Sequence, residues 1–319
     1  LVNQIIKLPN INNKSKIFGI SYKEDSTLKR FNKHNFSNTL SLNQIDDFEI
    51  LNPNAGIESI QAVFNKKIAN KIVSKYGKAD VLIVRHILEH ANNPKTFVEA
   101  LKLILNDNGY IIFEIPDCKA VFENNDYTTI WEDHIMYFTE ETFHSSLIRF
   151  GFEIEKTIKY KYPIENSLIG IVKKQSKVDK VSDNFIVDKE INRMKDFSSN
   201  FQSHKDKIYH LLLDFKSNNG NIAIFGAGHL AVMFIQLMSI KNIISFVVDD
   251  HPKKLGMFMP GSKIPILSSD SLVKNNIKLC LSSLSPESEK KVIENNKFLF
   301  KNNIKFKSIF PMSEIYLLK

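Results

Sequence analysis

An imidazole stands beside two carboxylates in the segment Trp131-Glu132-Asp133-His134. A neighbouring carboxylate holds an imidazole in one tautomer and makes it more basic, which suits His134 to act as a general base near neutral pH. Tyr137 and the aromatic residues around it are suited to exclude water from a site or to stack on a sugar ring. The alternative is a surface loop whose histidine simply has its hydrogen bonds satisfied.

A second polar cluster follows the apolar run Val81–Val84. Its members are Arg85, His86, Glu89 and His90. The alternative to a ligand site is a capped helix start, with the helix proper beginning at residues 92–94, and a ligand can also bind at such a turn. The cluster lacks the H-E-x-x-H spacing of a zinc site carried on one helix, so we expect no metal.

The elements that must position these residues form a strand–helix–strand pattern. The apolar runs Val81–Val84 and Tyr110–Ile115 predict two strands, and the sequence between them predicts an amphipathic helix. Such a unit belongs to a parallel sheet, and open parallel sheets bind ligands at the carboxyl ends of their strands. Pro116 is predicted to end the second strand, because proline cannot donate to the ladder.

Further elements are predicted on both sides of this unit. Strands are predicted at 16–20, 38–43, 48–51, 152–160 and 166–173, and helices at 64–76 and 140–150. Gly151 ends the second of these helices. The last two strands are joined by a short turn and therefore form an antiparallel pair, which is typical of class I methyltransferases.

A second α/β pattern follows a polar stretch and a long helix predicted at 187–217. The segment Gly226-Ala227-Gly228-His229-Leu230-Ala231 lies between a predicted strand and a predicted helix, and Asp249 and Asp250 end the next strand. This G-x-G-x-x-A spacing indicates a dinucleotide or phosphate cradle at a helix N-terminus.

Length and composition restrict the class of protein. The 319 residues predict domains at 1–175 and 220–319 joined by a helical linker at 176–219. The net charge of +8 is spread along the chain, so we expect a phosphate-bearing small substrate and no nucleic acid. No apolar run approaches the ~20 residues of a membrane span, so we expect no membrane partner. Two cysteines, one in each predicted domain, indicate a reduced, cytoplasmic chain.

Taken together, these segments resemble the sugar C-methyltransferases, which are class I S-adenosylmethionine-dependent enzymes. The matching segments are W-E-D-H-I-M-Y-F at 131–138, R-H-I-L-E-H at 85–90 and E-I-P at 114–116. The run 226–266 is similar to the C-terminal domain of the same family. The resemblance covers roughly residues 70–175 and 220–311. It implies an α/β protein with a class I methyltransferase domain, a helical linker and a second, smaller Rossmann-like domain.

The resemblance also implies a function and a set of site residues. It implies methyl transfer from S-adenosyl-L-methionine to a nucleotide-linked keto-sugar of deoxysugar or surface-polysaccharide synthesis, with C-methylation favoured over O-methylation. It implies that His134 is the base, that Asp133 orients it and that Tyr137 belongs to the same catalytic set. The implied cofactor-binding residues are Gly19, Ser21, Asp25, Asn43, Ala62, Val63, Arg85, His86, Glu89 and His90. The implied substrate-binding residues are Glu114, Pro116, Trp131, Gly226, Gly228 and His229.

The first loop departs from the family pattern. Family members carry E-I-G-x-N-D-G-T-x-L after the first strand, whereas residues 18–28 read F-G-I-S-Y-K-E-D-S-T-L. The match needs a one-residue gap and places Ser26 at a glycine position, where a positive φ is less well tolerated. The acidic residue expected after the second strand is also ambiguous among Asn43, Asp46 and Asp47.

These departures keep two other hypotheses open. One is a non-catalytic homologue that binds a sugar nucleotide and has a degenerate cofactor loop. The other is an NAD-dependent enzyme that uses the turn at Gly226. The cysteine-rich zinc module that usually precedes the methyltransferase domain in this family is not expected in this sequence, because no cysteine precedes Cys118. Either the module has been truncated or this branch of the family never had it. We expect a monomer or a homodimer.

Overall fold

The chain forms two compact units. The computed structural model describes residues 1–52, 54–130, 133–162, 165–175, 184–295 and 302–319. Unit 1 consists of Leu1–Lys119 and Glu132–Asp188, and unit 2 consists of Ala120–Trp131 and Lys189–Lys319. A short segment from the first half of the chain and most of the long helix therefore group with unit 2, whereas the sequence predicts a continuous first domain and a separate linker.

Unit 1 is built around a six-stranded sheet. Its strands are β1 (Ile17–Gly19), β2 (Thr39–Ser41), β3 (Ala79–Arg85), β4 (Leu105–Asp117), β5 (Phe152–Tyr160) and β6 (Asn166–Lys174). The strand order is β2-β1-β3-β4-β6-β5. The first four strands run parallel, and β6 pairs antiparallel with both β4 and β5. The predicted parallel unit and the predicted antiparallel pair are both confirmed.

Seven α-helices form in the described part of the chain before residue 150, and all except the sixth, whose residues 120–123 belong to unit 2, accompany these strands. They are α1 (Val2–Ile5), α2 (Asp25–Lys33), α3 (Ile60–Val63), α4 (Lys66–Tyr76), α5 (Pro94–Ile104), α6 (Lys119–Glu123) and α7 (Glu140–Arg149). Side-chain caps start the longer ones. Asn65 accepts from the backbone N–H groups at the start of α4, Asn93 does the same for α5, and Thr139 caps α7.

Alternate residues of β3 pack on opposite faces of the sheet. Leu82 and Val84 join the core that contains α4 and α5, whereas Val81 and Ile83 join the core that contains α1 and α2. Because helices cover both faces, the strand is a continuous apolar run rather than an alternating one. This burial fixes the register that brings Arg85 opposite Glu114 on β4.

Two local predictions are wrong. No strand forms at 48–51 in the described chain, because the N–H groups of Phe48, Glu49 and Ile50 donate back to the carbonyls of residues 43–45, and Glu49 has a left-handed φ of +59°. Pro116 does not end its strand either. It lies within β4 opposite Ser167 of β6, and the strand continues to Asp117.

Unit 2 contains a five-stranded parallel sheet of order β11-β10-β7-β8-β9. Its elements are α8 (Asn184–Asn219), β7 (Asn221–Phe225), α9 (His229–Leu237), β8 (Ile244–Val248), β9 (Ile266–Leu267), α10 (Ser271–Lys274), β10 (Ile277–Ser282), α11 (Pro286–Asn295) and β11 (Lys305–Ser308). Within the described ranges, no helix is both long and apolar enough to cross a lipid bilayer.

Candidate active site

The turn after β1 closes on the buried side chain of Glu24. Its Oε2 accepts from the Ser21 backbone N–H (2.7 Å) and hydroxyl (2.8 Å), and its Oε1 accepts from the Arg85 backbone N–H (3.1 Å). Burial raises the pKa of Glu24 to about 7, although the bonds from Ser21 act to lower it. Glu24 therefore joins the carboxyl ends of β1 and β3. It is missing from the residues predicted above, but the S-x-x-E pattern of a capping box was a usable signal.

Arg85 and Glu114 form a bidentate ion pair across β3 and β4. The Nε–Oε2 and Nη2–Oε1 distances are 2.6 and 3.2 Å, and the Ser167 hydroxyl donates to Glu114 Oε1 at 2.9 Å. Burial acts to raise the pKa of Glu114, but Arg85 and the Ser167 hydroxyl hold it below its usual value. Both side chains, predicted as ligand contacts, thus stabilise the sheet edge by binding each other.

Glu89 lies at the centre of a group of histidines beside this edge. It belongs to a single helical turn, Leu88–His90, and is 1% exposed. Neither carboxylate oxygen accepts a hydrogen bond from the part of the chain that the structure describes. The imidazole of His86 lies close by, with its Nδ1 3.4 Å from Glu89 Oε1. His86 has a φ of +53°, a left-handed conformation that is uncommon outside glycine and concentrates at functional sites.

The segment that carries His134 is attached to the same helical turn. The N–H groups of Ile135 and Met136 both donate to the Glu89 carbonyl at 2.9 Å. The rings of His134 and His90 meet edge to face with centroids 4.7 Å apart. Burial lowers the pKa of His134, while the negative charges of Glu89 and Asp133 oppose that shift. The result is an imidazole that is neutral, and so able to take a proton, at neutral pH.

Asp133 contacts His90 in a way that defines its tautomer. The Asp133 carbonyl lies 2.9 Å from His90 Nδ1, and its carboxylate Oδ2 lies 3.6 Å from the same atom. A carbonyl can only accept, so His90 Nδ1 carries the proton and Nε2 keeps its lone pair. The contacts described for Asp133 are with His90, and the orienting role toward His134 stays a prediction. Tyr137 lies beside His134 with ring centroids 5.7 Å apart.

The remaining residues predicted in unit 1 are more scattered. Ser21 is buried in the turn, and Pro116 is buried in β4. Asp25 is exposed on α2 and Ala62 is exposed on α3, where Val63 is half-buried. Asp47 cannot readily hold a ribose, because it accepts from the Lys75 ammonium (2.9 Å) and the Tyr76 hydroxyl (3.0 Å). The predicted contact Trp131 and its neighbour Glu132 lie outside the described residues.

The glycine turn of unit 2 is closed by its own acidic residue. Gly226 has a φ of +105°, and the Ala227 N–H donates to Asp249 Oδ2 at 3.0 Å. The Lys254 ammonium lies 2.8 Å from the same oxygen and 2.9 Å from the Ala227 carbonyl. Asp250 accepts from the Ser269 N–H at 2.9 Å. Both carboxylates that would bind a dinucleotide ribose are therefore engaged by the chain itself, which disfavours the NAD hypothesis. Gly228 caps α9 with open space beside it, and His229 begins that helix.

Two protein families match this chain, one in each half. The family described as a methyltransferase domain matches residues 19–157, and the family described as the C-methyltransferase C-terminal domain matches residues 173–311. Both halves of the chain therefore match methyltransferase families, and each match covers less than half of the 319 residues. The strand order of unit 1 agrees with the class I methyltransferase fold predicted for such a protein. The cofactor of this family is S-adenosyl-L-methionine.

A curated relative and several solved structures are similar to this chain. C-methyltransferase NovU of Streptomyces niveus is 20% identical over 273 residues, 81% of this chain and 63% of that protein, so this chain spans less than two thirds of its length. A putative S-adenosylmethionine-dependent methyltransferase from Listeria monocytogenes is 14% identical with a TM-score of 0.36, covering 55% of this chain and 96% of that one. A Burkholderia thailandensis 1,6-didemethyltoxoflavin-N1-methyltransferase bound to S-adenosylhomocysteine is 8% identical with a TM-score of 0.33, covering 51% and 72%.

The turn after β1 is the place where the resemblance predicts the cofactor to bind. A Cβ at residue 19 would lie 2.6 Å from the Glu24 Cβ, so only glycine lets the chain fold back here. Tyr22 is 60% exposed and Lys23 is also exposed, so neither bulky side chain packs over the end of β1. The exposed side chains of Tyr22 and Lys23 are compatible with a cofactor at this sheet edge, and cofactor binding by residues 19–25 stays a prediction.

Proposed function

We propose that this protein is a C-methyltransferase, which methylates a carbon atom of a nucleotide-linked keto-sugar in deoxysugar or surface-polysaccharide synthesis. The observation that carries the proposal is the placement of His134. It is a half-buried imidazole next to His90 and Glu89, and the two residues that follow it donate backbone bonds to the carbonyl of residue 89. Both cysteines are free and buried, which agrees with a cytoplasmic site of sugar-nucleotide synthesis.

The chain's own residues account for the proton transfer. The carbon next to a ketone is acidic, and His134 takes its proton while the electron pair moves toward the carbonyl oxygen. Asp133 fixes the adjacent His90 ring, and the ring of Tyr137 lies beside that of His134. Gly19 and the turn that ends at Glu24 would hold the cofactor, with His86 nearby at the end of β3. When bound, S-adenosyl-L-methionine supplies a methyl group carried on a cationic sulfur. The sulfur leaves as part of a neutral thioether.

The test separates proton removal from methyl transfer. The variant His134→Ala should lose at least ~100-fold in the rate at which a keto-sugar nucleotide exchanges its α-hydrogen with deuterated water, measured by NMR. Its affinity for S-adenosylhomocysteine, measured by calorimetry, should stay within about threefold, because the loop at 19–24 is unchanged. His34→Ala is the matched control, since His34 is exposed at the end of α2. Wild-type exchange in His134→Ala would refute the base assignment.

The lost glycine at position 26 favours a second candidate, a sugar-nucleotide-binding protein without catalysis. In that case the wild-type chain would bind the sugar nucleotide but release no heat with millimolar S-adenosylhomocysteine. Binding of S-adenosylhomocysteine by the wild type would remove this candidate.

A further inference from the structure

We propose that Glu89, His90 and His134 form a binding site for a divalent transition-metal ion of the zinc class. One ligand atom from each of these three residues lies within 4.8 Å of the other two. Two imidazoles and one carboxylate are a common ligand set for such ions. Sequence spacing missed this site because His134 is far along the chain from Glu89 and His90.

The carboxylate of Glu89 is the first observation that points to a cation. Buried carboxylates are normally paired or hydrogen-bonded, because burying an unpaired charge is costly. Glu89 is 1% exposed, yet both of its oxygens are without a hydrogen bond in the described chain. A bound cation would satisfy these oxygens.

The ring orientation of His90 is the second observation. Histidine ligands of metals usually donate their other ring N–H to a carbonyl or carboxylate, which fixes the ring and leaves one nitrogen for the metal. His90 does this through Nδ1, which donates to the Asp133 carbonyl at 2.9 Å and lies 3.6 Å from the Asp133 carboxylate. His90 Nε2 is therefore the atom with a lone pair to offer.

A third imidazole lies close enough to complete the shell. His86 Nδ1 is 3.4 Å from Glu89 Oε1, a separation close to that of two ligands sharing one tetrahedral ion with bonds of about 2.0–2.1 Å. The nitrogen-rich set suits Zn²⁺, Co²⁺ or Ni²⁺. It does not suit Mg²⁺ or Ca²⁺, which take oxygen ligands.

Metal binding has a consequence that rests on the proposed function. One nitrogen lone pair of His134 can bind a metal ion or take a proton, but not both. The metal-loaded chain would therefore lack the base, and the ion would act as an inhibitor that chelators relieve. The binding itself does not depend on what reaction the chain catalyses.

The binding test uses the intact chain, stripped of metal, with Co²⁺ as the only added probe. Visible absorption of the cobalt ion and equilibrium dialysis should report about one ion per chain. Glu89→Gln keeps the side-chain shape but removes the charge. It should raise the dissociation constant for Co²⁺ at least ~10-fold. His134→Asn should raise it by a similar factor. If the circular dichroism spectrum of Glu89→Gln differs from that of the wild type, His134→Asn is the variant that decides the test. His34→Ala is the control and should bind as the wild type does.

Several results would overturn the site. Failure of the wild type to bind Co²⁺ would do so, as would equal affinity in the wild type, Glu89→Gln and His134→Asn. The inhibitory role is judged separately by adding Zn²⁺ to the deuterium-exchange assay of the wild type. Tight Co²⁺ binding by a chain without exchange activity would uphold the site and remove only the proposed function.

Discussion

The buried carboxyl of Glu24 should make unit 1 less stable as the pH rises. Its pKa is raised from 4.5 to about 7 in the folded chain, where it is fully buried. Between these values the folded state holds a proton that the unfolded state has released, so the free energy of unfolding falls with rising pH. At about 1.4 kcal/mol per pKa unit, the loss from pH 4.5 to pH 7 is about 3 kcal/mol.

Replacing Glu24 with glutamine isolates this effect. The amide cannot ionise, so the unfolding free energy of Glu24→Gln should not fall between pH 4.5 and pH 7 on account of residue 24. It can accept through only one atom, however, and three N–H or O–H groups of Ser21 and Arg85 donate to the two carboxylate oxygens. The lost acceptor costs about 1 kcal/mol at every pH. We therefore expect the variant to be about 1 kcal/mol less stable than the wild type at pH 4.5 and about 2 kcal/mol more stable at pH 8.

Urea unfolding followed by circular dichroism at a series of pH values measures this crossing. Glu153→Gln is the matched control, because Glu153 is exposed on β5 and should leave the pH dependence unchanged. A constant difference between the wild type and Glu24→Gln from pH 4.5 to 8 would refute the reasoning, because it would mean that Glu24 ionises equally in both states.

Two further stability predictions follow from the sheet edges. Arg85→Met leaves the Glu114 carboxylate buried without its partner and should cost about 3 kcal/mol of unfolding free energy in urea, with part regained in the double variant Arg85→Met/Glu114→Gln. Gly226→Ala should cost about 2 kcal/mol by the same measurement, because residue 226 has a φ of +105° and the new Cβ would lie 2.7 Å from the Ser283 hydroxyl. Gly228→Ala, at φ −113° with open space beside it, should cost less than about 1 kcal/mol and so serves as its control.

Regular elements were predictable wherever local pattern and burial agree. The antiparallel pair was predicted at 152–160 and 166–173 and forms at Phe152–Tyr160 and Asn166–Lys174. The helix predicted at 140–150 forms at Glu140–Arg149, where Thr139 caps it. The strand predicted at 48–51 failed for a local reason. Phe48 and Ile50 are buried as a strand pattern requires, but their backbone N–H groups donate to the carbonyls of residues 43 and 44 and form turns instead.

The candidate site was predictable only in part. The types and spacing of Arg85, His86, Glu89 and His90 drew attention to the right loop, and the family resemblance drew attention to His134. The pairing among these residues was not predictable, because it depends on strand register and on the fold of residues 133–138. Register sets Arg85 against Glu114, and two backbone bonds bring His134 against His90.

The sequence by itself determined the class of fold, the family and most helices and strands, because apolar periodicity, caps and glycine turns act over a few residues. The tertiary structure alone decided which charges neutralise one another and which stay unpaired. Glu24 and Glu114 found partners at the sheet edge, whereas Glu89 was buried among imidazoles without a hydrogen bond from the described chain. Burial and charge pairing depend on residues distant in sequence, and the chemistry of this site follows from them.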